Sequence, residues 1–379
     1  MIRNLDDEAA RRVIVETLDA PFRELVFSEW DADFLATPEG ERGMETALVD
    51  RYLASRRHGV PWLGRTVDLA RARIVEIGCG TGASTVALAE RCASVVAFDV
   101  DPHSVAAAEA RAAAHELTNA TFEVCDPAEI IARALAVAPP PDLYVLYAVL
   151  EHLTIPERID ALRSLWEAIE PGGAVAIIET PNRLTYRDRH SSEIDFTHLL
   201  PDELAFPLLT LSPRAAYRDV IGRAARLDDA DEAHVVRVRF GLGASFHEFL
   251  VAIDEPLVEI VVADGYEPEI MSWFGLELDE LLLLQYMLAE SIDVPCAFAR
   301  SVLNVILRKP ASPEERSAVR ARNEARRAEL ADRYPLAPLG WRAEPAMSAP
   351  MTDGATRPVR SGLASPARAL TARLRRRFG

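Results

Sequence analysis

Lysine is nearly absent from this chain of 379 residues: Lys309 is the only one, whereas arginine occurs 41 times. Acidic residues still outnumber basic ones by 59 to 42, which gives a net charge of −17. The charge is uneven, because the segment from Arg342 onward has eight arginines against Glu344 and Asp353. That segment therefore carries +6 and the remaining body −23. An acidic body repels a phosphate backbone, so we expect no unspecific binding of nucleic acid.

Cysteine is scarce, and the sequence has no long apolar run. The four cysteines form no C-x-x-C pair and no zinc spacing; they are Cys79, Cys92, Cys125 and Cys296. The N-terminus lacks the apolar core of a signal peptide. The strongest apolar run, "LLLLQYML" at residues 281–288, is far below the ~20 residues that a membrane span requires. We therefore expect a cytoplasmic protein without stable membrane insertion.

From Arg73 onward, short apolar segments alternate with amphipathic helical segments. Five of them are predicted strands: "RIVEIG", "SVVAFD", "ATFEVC", "DLYVLYA" and "AVAIIET". Parallel strands need helical crossovers and are covered on both faces, so this alternation predicts an α/β fold with a doubly wound parallel sheet. Strand patterns resume later at "LVEIVVADGY" and "SVLNVILRKP".

The chain divides into four predicted parts. Residues 1–72 form a helical segment, and residues 73–310 form the α/β domain, in which 183–254 is an insertion on the acceptor side. Residues 311–341 are predicted to form a C-terminal helix. Residues 342–379 are rich in proline, alanine, serine and glycine, so we expect a disordered basic tail with at most weak contact to a membrane surface.

A glycine turn follows the first predicted strand, in "IVEIGCGTGAST". The spacing of Gly78, Gly80 and Ala83 suits both a dinucleotide and S-adenosylmethionine. Glu76 distinguishes between these two ligands, because a carboxylate repels a pyrophosphate and attracts the ammonium and sulfonium groups of S-adenosylmethionine. Asp99 ends the second strand, where it can accept hydrogen bonds from ribose hydroxyls, and Asp126 ends the third, where it can accept from an adenine amino group. Three acids at one sheet edge favour the cationic adenosyl ligand.

The order and spacing of "VEIGCGTG", "FDVDP", "CDP", "DLYVLYAVLEHL" and "IEPGGAVAIIETPNRL" resemble class I S-adenosylmethionine-dependent methyltransferases. The resemblance is tight over residues 73–184 and looser up to residue 309. It implies a Rossmann-like sheet of seven strands whose last strand is antiparallel. "EHL" and "TPNRL" are most similar to the branch of ubiquinone-type O-methyltransferases and of bacterial enzymes acting on sugars or natural products.

The same resemblance implies S-adenosylmethionine as the cofactor and a set of contacts for it. These contacts are Glu76, Gly78, Cys79, Gly80, Gly82, Asp99, Val100 and Asp126. Cys79 is interpreted as a small packing residue of the turn and not as a nucleophile, because nothing nearby in the sequence would lower the pKa of its thiol.

Three histidines are the catalytic candidates. His152 follows the fourth strand, beside the expected position of the donor methyl group, and can act as a general base toward a hydroxyl acceptor. A packing role against the cofactor loop is the alternative. His190 and His198 follow the fifth strand, in a segment that commonly lines the acceptor pocket in this family. They are interpreted as residues that bind the acceptor, and the alternative is that they belong to a solvated loop.

Glu151, together with these three histidines, can also assemble a metal site, as related residues do in small-RNA 2′-O-methyltransferases. Those enzymes carry a further glutamate at the position of Ala148. Because this chain lacks that glutamate, we predict no metal.

The sequence therefore predicts O-methylation of a small hydroxylated acceptor such as a sugar or a natural product. N-methylation of a small molecule, an NAD-dependent dehydrogenase and a non-catalytic donor-binding scaffold stay open, and a homodimer is compatible with the sequence. We interpret the unusual "SFHEF" segment, residues 245–249, as an acceptor or oligomer contact.

Truncation after Leu339 is predicted to leave the melting temperature and the donor affinity unchanged. The removed segment has too few large apolar residues to belong to the core. Thermal melts and calorimetry of the full-length and truncated proteins test this, and a sharp drop in either quantity would make the tail a docked element.

Overall fold

A computed structural model describes residues 2–188 and 190–335, and its centre is a sheet of seven strands. The strands are β1 (Arg73–Ile77), β2 (Ser94–Asp99), β3 (Ala120–Val124), β4 (Leu143–Tyr147), β5 (Ala174–Pro181), β6 (Val261–Ala263) and β7 (Val302–Arg308). Their order across the sheet is β3-β2-β1-β4-β5-β7-β6. Strands β1 to β5 pair in parallel, and β7 is antiparallel to both β5 and β6. The predicted sheet and its antiparallel last strand are confirmed.

Helices join the strands and cover both faces of the sheet. They are α1 (Asp7–Leu25), α2 (Ala32–Leu35), α3 (Pro38–Glu45), α4 (Arg51–Ala54), α5 (Val60–Leu63), α6 (Ala83–Ala89), α7 (Pro102–Ala114), α8 (Ile130–Leu135), α9 (Ile155–Ala168), α10 (Asp202–Leu209), α11 (Ala215–Ala224), α12 (Ala230–Phe240), α13 (Phe246–Ala252), α14 (Pro268–Phe274), α15 (Leu278–Ala289) and α16 (Pro313–Arg333).

The core consists of two apolar layers, one on each face of the sheet. Because side chains alternate along a strand, Val75 and Ile77 of β1 enter one layer and Ile74 enters the other. Helices α1 and α5 contribute Phe22 and Trp62 to the layer around Ile74. The N-terminal helices therefore complete one face of the α/β core, which places residues of α4 beside the carboxyl edge of the sheet.

Buried Arg158 of α9 fastens the segment between β5 and β6 to the sheet. Its guanidinium donates hydrogen bonds to the carbonyl oxygens of Leu153 and Gly243, both at 2.9 Å, and to a carboxylate oxygen of Glu248 at 3.3 Å. Glu248 and Ser245 also form the capping box of α13. The described structure thus gives Ser245 and Glu248 of the "SFHEF" segment a structural role. The predicted acceptor or oligomer contact of this segment stays a prediction.

Helix α16 packs beside β6 through Val319 and Leu330, which are buried. Residues 336–341 of the predicted C-terminal helix, and the predicted basic tail at 342–379, lie outside the described residues. Within the described ranges, no helix combines the length and apolarity needed to cross a bilayer.

Replacing Arg158 with Ala is predicted to lower the free energy of unfolding by about 3–5 kcal/mol, because a buried network loses its donor and Glu248 keeps an unpaired buried charge. Arg163→Ala is the matched control on the same helix. Arg163 pairs with Asp160 at the surface, so its loss should cost less than about 1 kcal/mol. Denaturant titrations measure both values, and equal costs would contradict the role of Arg158.

Candidate functional site

The turn after β1 contains three glycines in the left-handed region, where a side chain strains the backbone. The φ angles of Gly78, Gly80 and Gly82 are 75°, 49° and 73°. The N–H groups of Gly78 and Cys79 donate to the carbonyl oxygen of Phe98, at 2.8 and 3.0 Å. These bonds hold the turn against the end of β2, so that the turn and α6 meet at the carboxyl edge of the sheet, where α/β folds bind nucleotide-like ligands.

Glu76 holds the turn from behind. Its carboxyl group is fully buried and accepts hydrogen bonds from the hydroxyls of Ser84 and Thr85, the second at 2.5 Å, in the first turn of α6. Burial is the main cause that raises its pKa to about 7. Glu76 is absent from the lining of the adjoining pocket. Glu76 therefore shapes the turn, and its predicted contact with the ligand stays a prediction.

Arg111 of α7 holds the same turn from the side of the N-terminal helices. Its buried guanidinium donates to the carbonyl oxygen of Thr81 at 2.9 Å, and to those of Leu48 and Ala47 at 2.8 and 2.7 Å. One side chain therefore links the glycine turn to the helical segment that precedes β1.

A pocket of about 920 Å³ adjoins the turn, which suits a ligand of nucleoside size. Five predicted contacts line it: Gly78, Cys79, Gly80, Asp99 and Val100. The carboxylate of Asp99 accepts from the N–H of Gly80 at 2.7 Å and from that of Asp101 at 3.0 Å. A carboxylate has about four acceptor positions, so Asp99 keeps capacity for ribose hydroxyls. Cys79 is buried, and burial raises the pKa of its thiol, which agrees with a packing role.

Two further predicted contacts do not line the pocket. Gly82 packs against α7, where an added Cβ would lie 2.7 Å from the Cβ of Ala108. Asp126 accepts a hydrogen bond from the N–H of Ala128 at 2.8 Å, and the residues that reach the pocket at this position are Pro127 and Ala128. Both residues therefore have a structural role in their turns, and their predicted contacts with the cofactor stay predictions.

Sequence reasoning missed two groups of pocket residues. Arg51 and Ser55 reach the pocket from the N-terminal helical segment, which the sequence analysis placed before the α/β domain. Ile130, Ile131 and Leu135 form an apolar wall from α8. Their apolar periodicity was visible in the sequence, but nothing distinguished a pocket wall from ordinary core.

His152 also lines the large pocket, and its orientation is set by Arg239 at the end of α12. The His152 Nδ1 lies 2.9 Å from the carbonyl oxygen of Arg239, and the Arg239 guanidinium donates to the carbonyl oxygen of His152 at 2.8 Å. Because a carbonyl only accepts, Nδ1 carries the proton and Nε2 keeps its lone pair. Burial lowers the pKa of His152, so its imidazole is neutral at pH 7.

A smaller polar cavity of about 150 Å³ lies on the other side of the histidines. His190 and His198 both line it, and the ring centroids of His190 and His152 are 5.5 Å apart. Burial lowers the pKa of His190 to about 4. His198 donates from Nε2 to the carbonyl oxygen of Thr185 at 2.6 Å. The structure thus brings His152 and His190 into contact and holds His198 by a separate backbone bond.

Glu151 is the fourth member of the predicted cluster, and its carboxyl group is fully buried. Its Oε2 accepts from the hydroxyl of Thr180 at 3.3 Å, whereas its Oε1 is buried without a hydrogen-bond partner in the described structure. One ligand atom each from Glu151, His152 and His190 lie within 4.8 Å of one another, an arrangement that can hold a metal ion. This geometry disagrees with the prediction, made from the sequence, that the protein has no metal site.

Residues 74–173 match the protein family described as "Methyltransferase domain". The matched segment contains β1 to β4, with the glycine turn, Asp99 and His152. The chain therefore carries a class I S-adenosylmethionine-dependent methyltransferase domain, and the cofactor of this domain is S-adenosylmethionine. The resemblance inferred from the motifs is confirmed, and the dehydrogenase alternative is removed.

Two relatives show how far the similarity extends. Trans-aconitate 2-methyltransferase of Deinococcus radiodurans is 32% identical over 160 residues, which cover 40% of this chain and 58% of that protein. Ubiquinone biosynthesis O-methyltransferase of Pseudomonas fluorescens is 30% identical over 126 residues, covering 33% and 50%. The chain thus spans about half the length of these curated relatives. Magnesium protoporphyrin IX methyltransferase of Synechocystis, a structure solved with bound S-adenosylmethionine, is 19% identical with a TM-score of 0.31, covering 47% of this chain and 78% of that one.

Gly78→Ala is predicted to weaken S-adenosylhomocysteine binding by at least ~10-fold, because a left-handed residue other than glycine is strained and the turn must shift. An added Cβ would lie 2.5 Å from a methyl group of Val149. Gly172→Ala is the control: its φ is 89°, and its Cβ would meet nothing within 4 Å. Isothermal titration calorimetry should find the control within about twofold of the parent protein. Equal affinities of the two variants would contradict the assignment of the turn to donor binding.

Proposed function

We propose that the protein transfers the methyl group of S-adenosylmethionine to a hydroxyl group of a small acceptor, such as a sugar or a natural product. The observation that best supports this proposal is the contact between two histidines from different cavities. His152 lines the pocket of about 920 Å³, called the donor pocket from here on, and His190 lines the smaller polar cavity. In a transferase, the donor site and the acceptor site must adjoin so that the transferred group can reach the accepting atom. The two histidines, one from each cavity, would lie where these sites adjoin.

On the donor side, the glycine turn, Asp99 and the apolar wall from α8 would hold S-adenosylmethionine. When bound, this cofactor supplies an electrophilic methyl group on a sulfonium ion. The residues of the site then have to align the acceptor and take up its proton.

On the acceptor side, His152 is the proton acceptor that the geometry supports best. Its Nε2 lone pair is free of the backbone bond made by Nδ1, and its lowered pKa keeps the ring neutral. His152 would take up the hydroxyl proton of the acceptor at Nε2 while the acceptor oxygen receives the methyl group that bound S-adenosylmethionine would supply.

The name of the ubiquinone relative suggests the first acceptors to try, phenols with ubiquinone-like substitution, beside simple sugars. Trans-aconitate, named for the other relative, has carboxylates and no hydroxyl group, so its methylation would contradict a hydroxyl acceptor. N-methylation stays a second candidate, because the smaller cavity contains carboxylates, such as Glu179 and Asp188, that suit an amine as well as a hydroxyl.

His152→Ala is predicted to lower turnover by ~10²–10⁴-fold while donor affinity stays within a few-fold, because the lost interaction belongs to the transition state. A lowered pKa also predicts that the rate falls only below the ordinary histidine value of 6.5, where the ring becomes protonated. Turnover is measured as the release of S-adenosylhomocysteine in the presence of an acceptor found among the compounds named above.

His198→Ala is the control, because His198 is held by the carbonyl oxygen of Thr185 and not by the histidine pair. It should mainly raise the Michaelis constant of the acceptor. Near-normal turnover of the His152 variant, with a collapse for the His198 variant, would move the base to the loop after β5.

The cluster of Glu151, His152 and His190 supports a second arrangement, in which a divalent cation binds between the two cavities. Two neutral imidazoles and a carboxylate are ordinary ligands of such cations. The buried Oε1 of Glu151 has no hydrogen-bond partner in the described structure, and a cation would satisfy it.

Titration of the protein with Zn²⁺ or Mn²⁺ separates the two arrangements. A metal site predicts stoichiometric binding that Glu151→Gln and His190→Ala abolish and His198→Ala leaves intact, together with loss of turnover in a chelator. Activity that is insensitive to a chelator would leave His152 as the base.

A further inference from the structure

Glu179, near the end of β5, is held in an unusual backbone conformation. Its φ angle is 58°, in the left-handed region that residues other than glycine rarely adopt. The pairing of β5 with β7 also shifts here, because Ile177 faces Val305 whereas Thr180 faces Leu303. Strand β5 therefore contains one extra residue, a β-bulge of the kind that redirects a side chain beside an active site.

The fold supports this bulge with a buried side chain. The N–H of Glu179 leaves the strand ladder and donates to the Oδ1 of Asn304 at 3.1 Å. Asn304 lies on β7 and is fully buried. A strained conformation persists only where its surroundings hold it, and such positions cluster at functional sites.

The bulge places the Glu179 carboxylate at the wall between the two cavities. Glu179 lines the smaller cavity, and its Oε1 accepts a hydrogen bond at 2.8 Å from the hydroxyl of Tyr147, which lines the donor pocket. The other oxygen accepts no hydrogen bond from any residue in the described part of the chain. Ala148, next to Tyr147 at the end of β4, is also left-handed, with a φ of 54°.

We propose that Glu179 is the acceptor-recognising carboxylate of this site, and that it accepts a hydrogen bond from a hydroxyl or amine group of the acceptor beside the atom that receives the methyl, because His152 takes the proton of the reacting hydroxyl itself. This inference rests on the proposed function and narrows its substrate class. An acceptor with a hydrogen-bond donor next to the reacting atom is matched by Glu179, whereas one that presents a carboxylate there, as an acid that becomes a methyl ester does, is repelled.

Burial is the main cause that raises the pKa of Glu179, whereas Arg51 and Tyr147 lower it. In its ionised form the carboxylate favours a hydroxyl or an ammonium group near its free oxygen. Arg187, an exposed residue of the same cavity, is available for a negative group elsewhere on the acceptor.

The test needs no identified acceptor. Sinefungin is an analogue of the donor in which an amine replaces the methylsulfonium group, so its ammonium group projects toward the acceptor. Calorimetry gives the ratio of its affinity to that of S-adenosylhomocysteine for the full-length protein. Glu179→Gln, which keeps the shape of the side chain, is predicted to lower this ratio by roughly 3- to 10-fold, because the ammonium loses a nearby negative charge.

Glu193→Gln is the matched control. Glu193 is also an acidic residue with a left-handed backbone, φ 56°, in the segment after β5, but it is exposed and outside both cavities. The ratio of the sinefungin affinity to the S-adenosylhomocysteine affinity should be the same in this variant as in the parent protein. Glu179→Ser provides a second replacement, and an unchanged S-adenosylhomocysteine affinity shows that each variant is folded.

The results distinguish this proposal from the proposed function. If the parent protein binds neither compound, the proposed methyl donor is wrong and the role of Glu179 falls with it. If both compounds bind and the ratio is the same in the parent protein and in both Glu179 variants, only the role of Glu179 is overturned.

Discussion

The site depends on the fixed shape of the glycine turn after β1. Three left-handed glycines make a turn that few other sequences could adopt, and two buried side chains hold it. Glu76 binds it to the first turn of α6, and Arg111 ties it to the N-terminal helices. The pocket beside the turn, the position of Asp99 and the place of Arg51 in the pocket lining all depend on this arrangement.

The fold was largely predictable from the sequence, because the five apolar segments from Arg73 onward alternate with helices and a parallel sheet is buried on both faces. The glycine turn and the position of Asp99 were predictable for the same reason, since the turn follows directly on β1 and Asp99 ends β2. The antiparallel β7 came from the family resemblance. No local pattern shows that β7 enters the sheet between β5 and β6.

The remainder of the site arises from contacts between distant parts of the chain. The sequence shows that Glu76 lies near the end of β1, but its partners Ser84 and Thr85 are fixed only when α6 packs. Likewise, the contact of His152 with His190 needs the long segment after β5 to fold back, and Arg51 comes from helices before the sheet. The bulge at Glu179 depends on the pairing of β5 with β7, so the sequence of β5 alone does not show it.

The central claim is that the glycine turn and Asp99 form a site for S-adenosylmethionine. The most direct test is calorimetry of the purified protein with S-adenosylmethionine, S-adenosylhomocysteine and NAD. We expect micromolar binding of the first two compounds and no detectable binding of NAD. Tighter binding of NAD than of either adenosyl compound would contradict it.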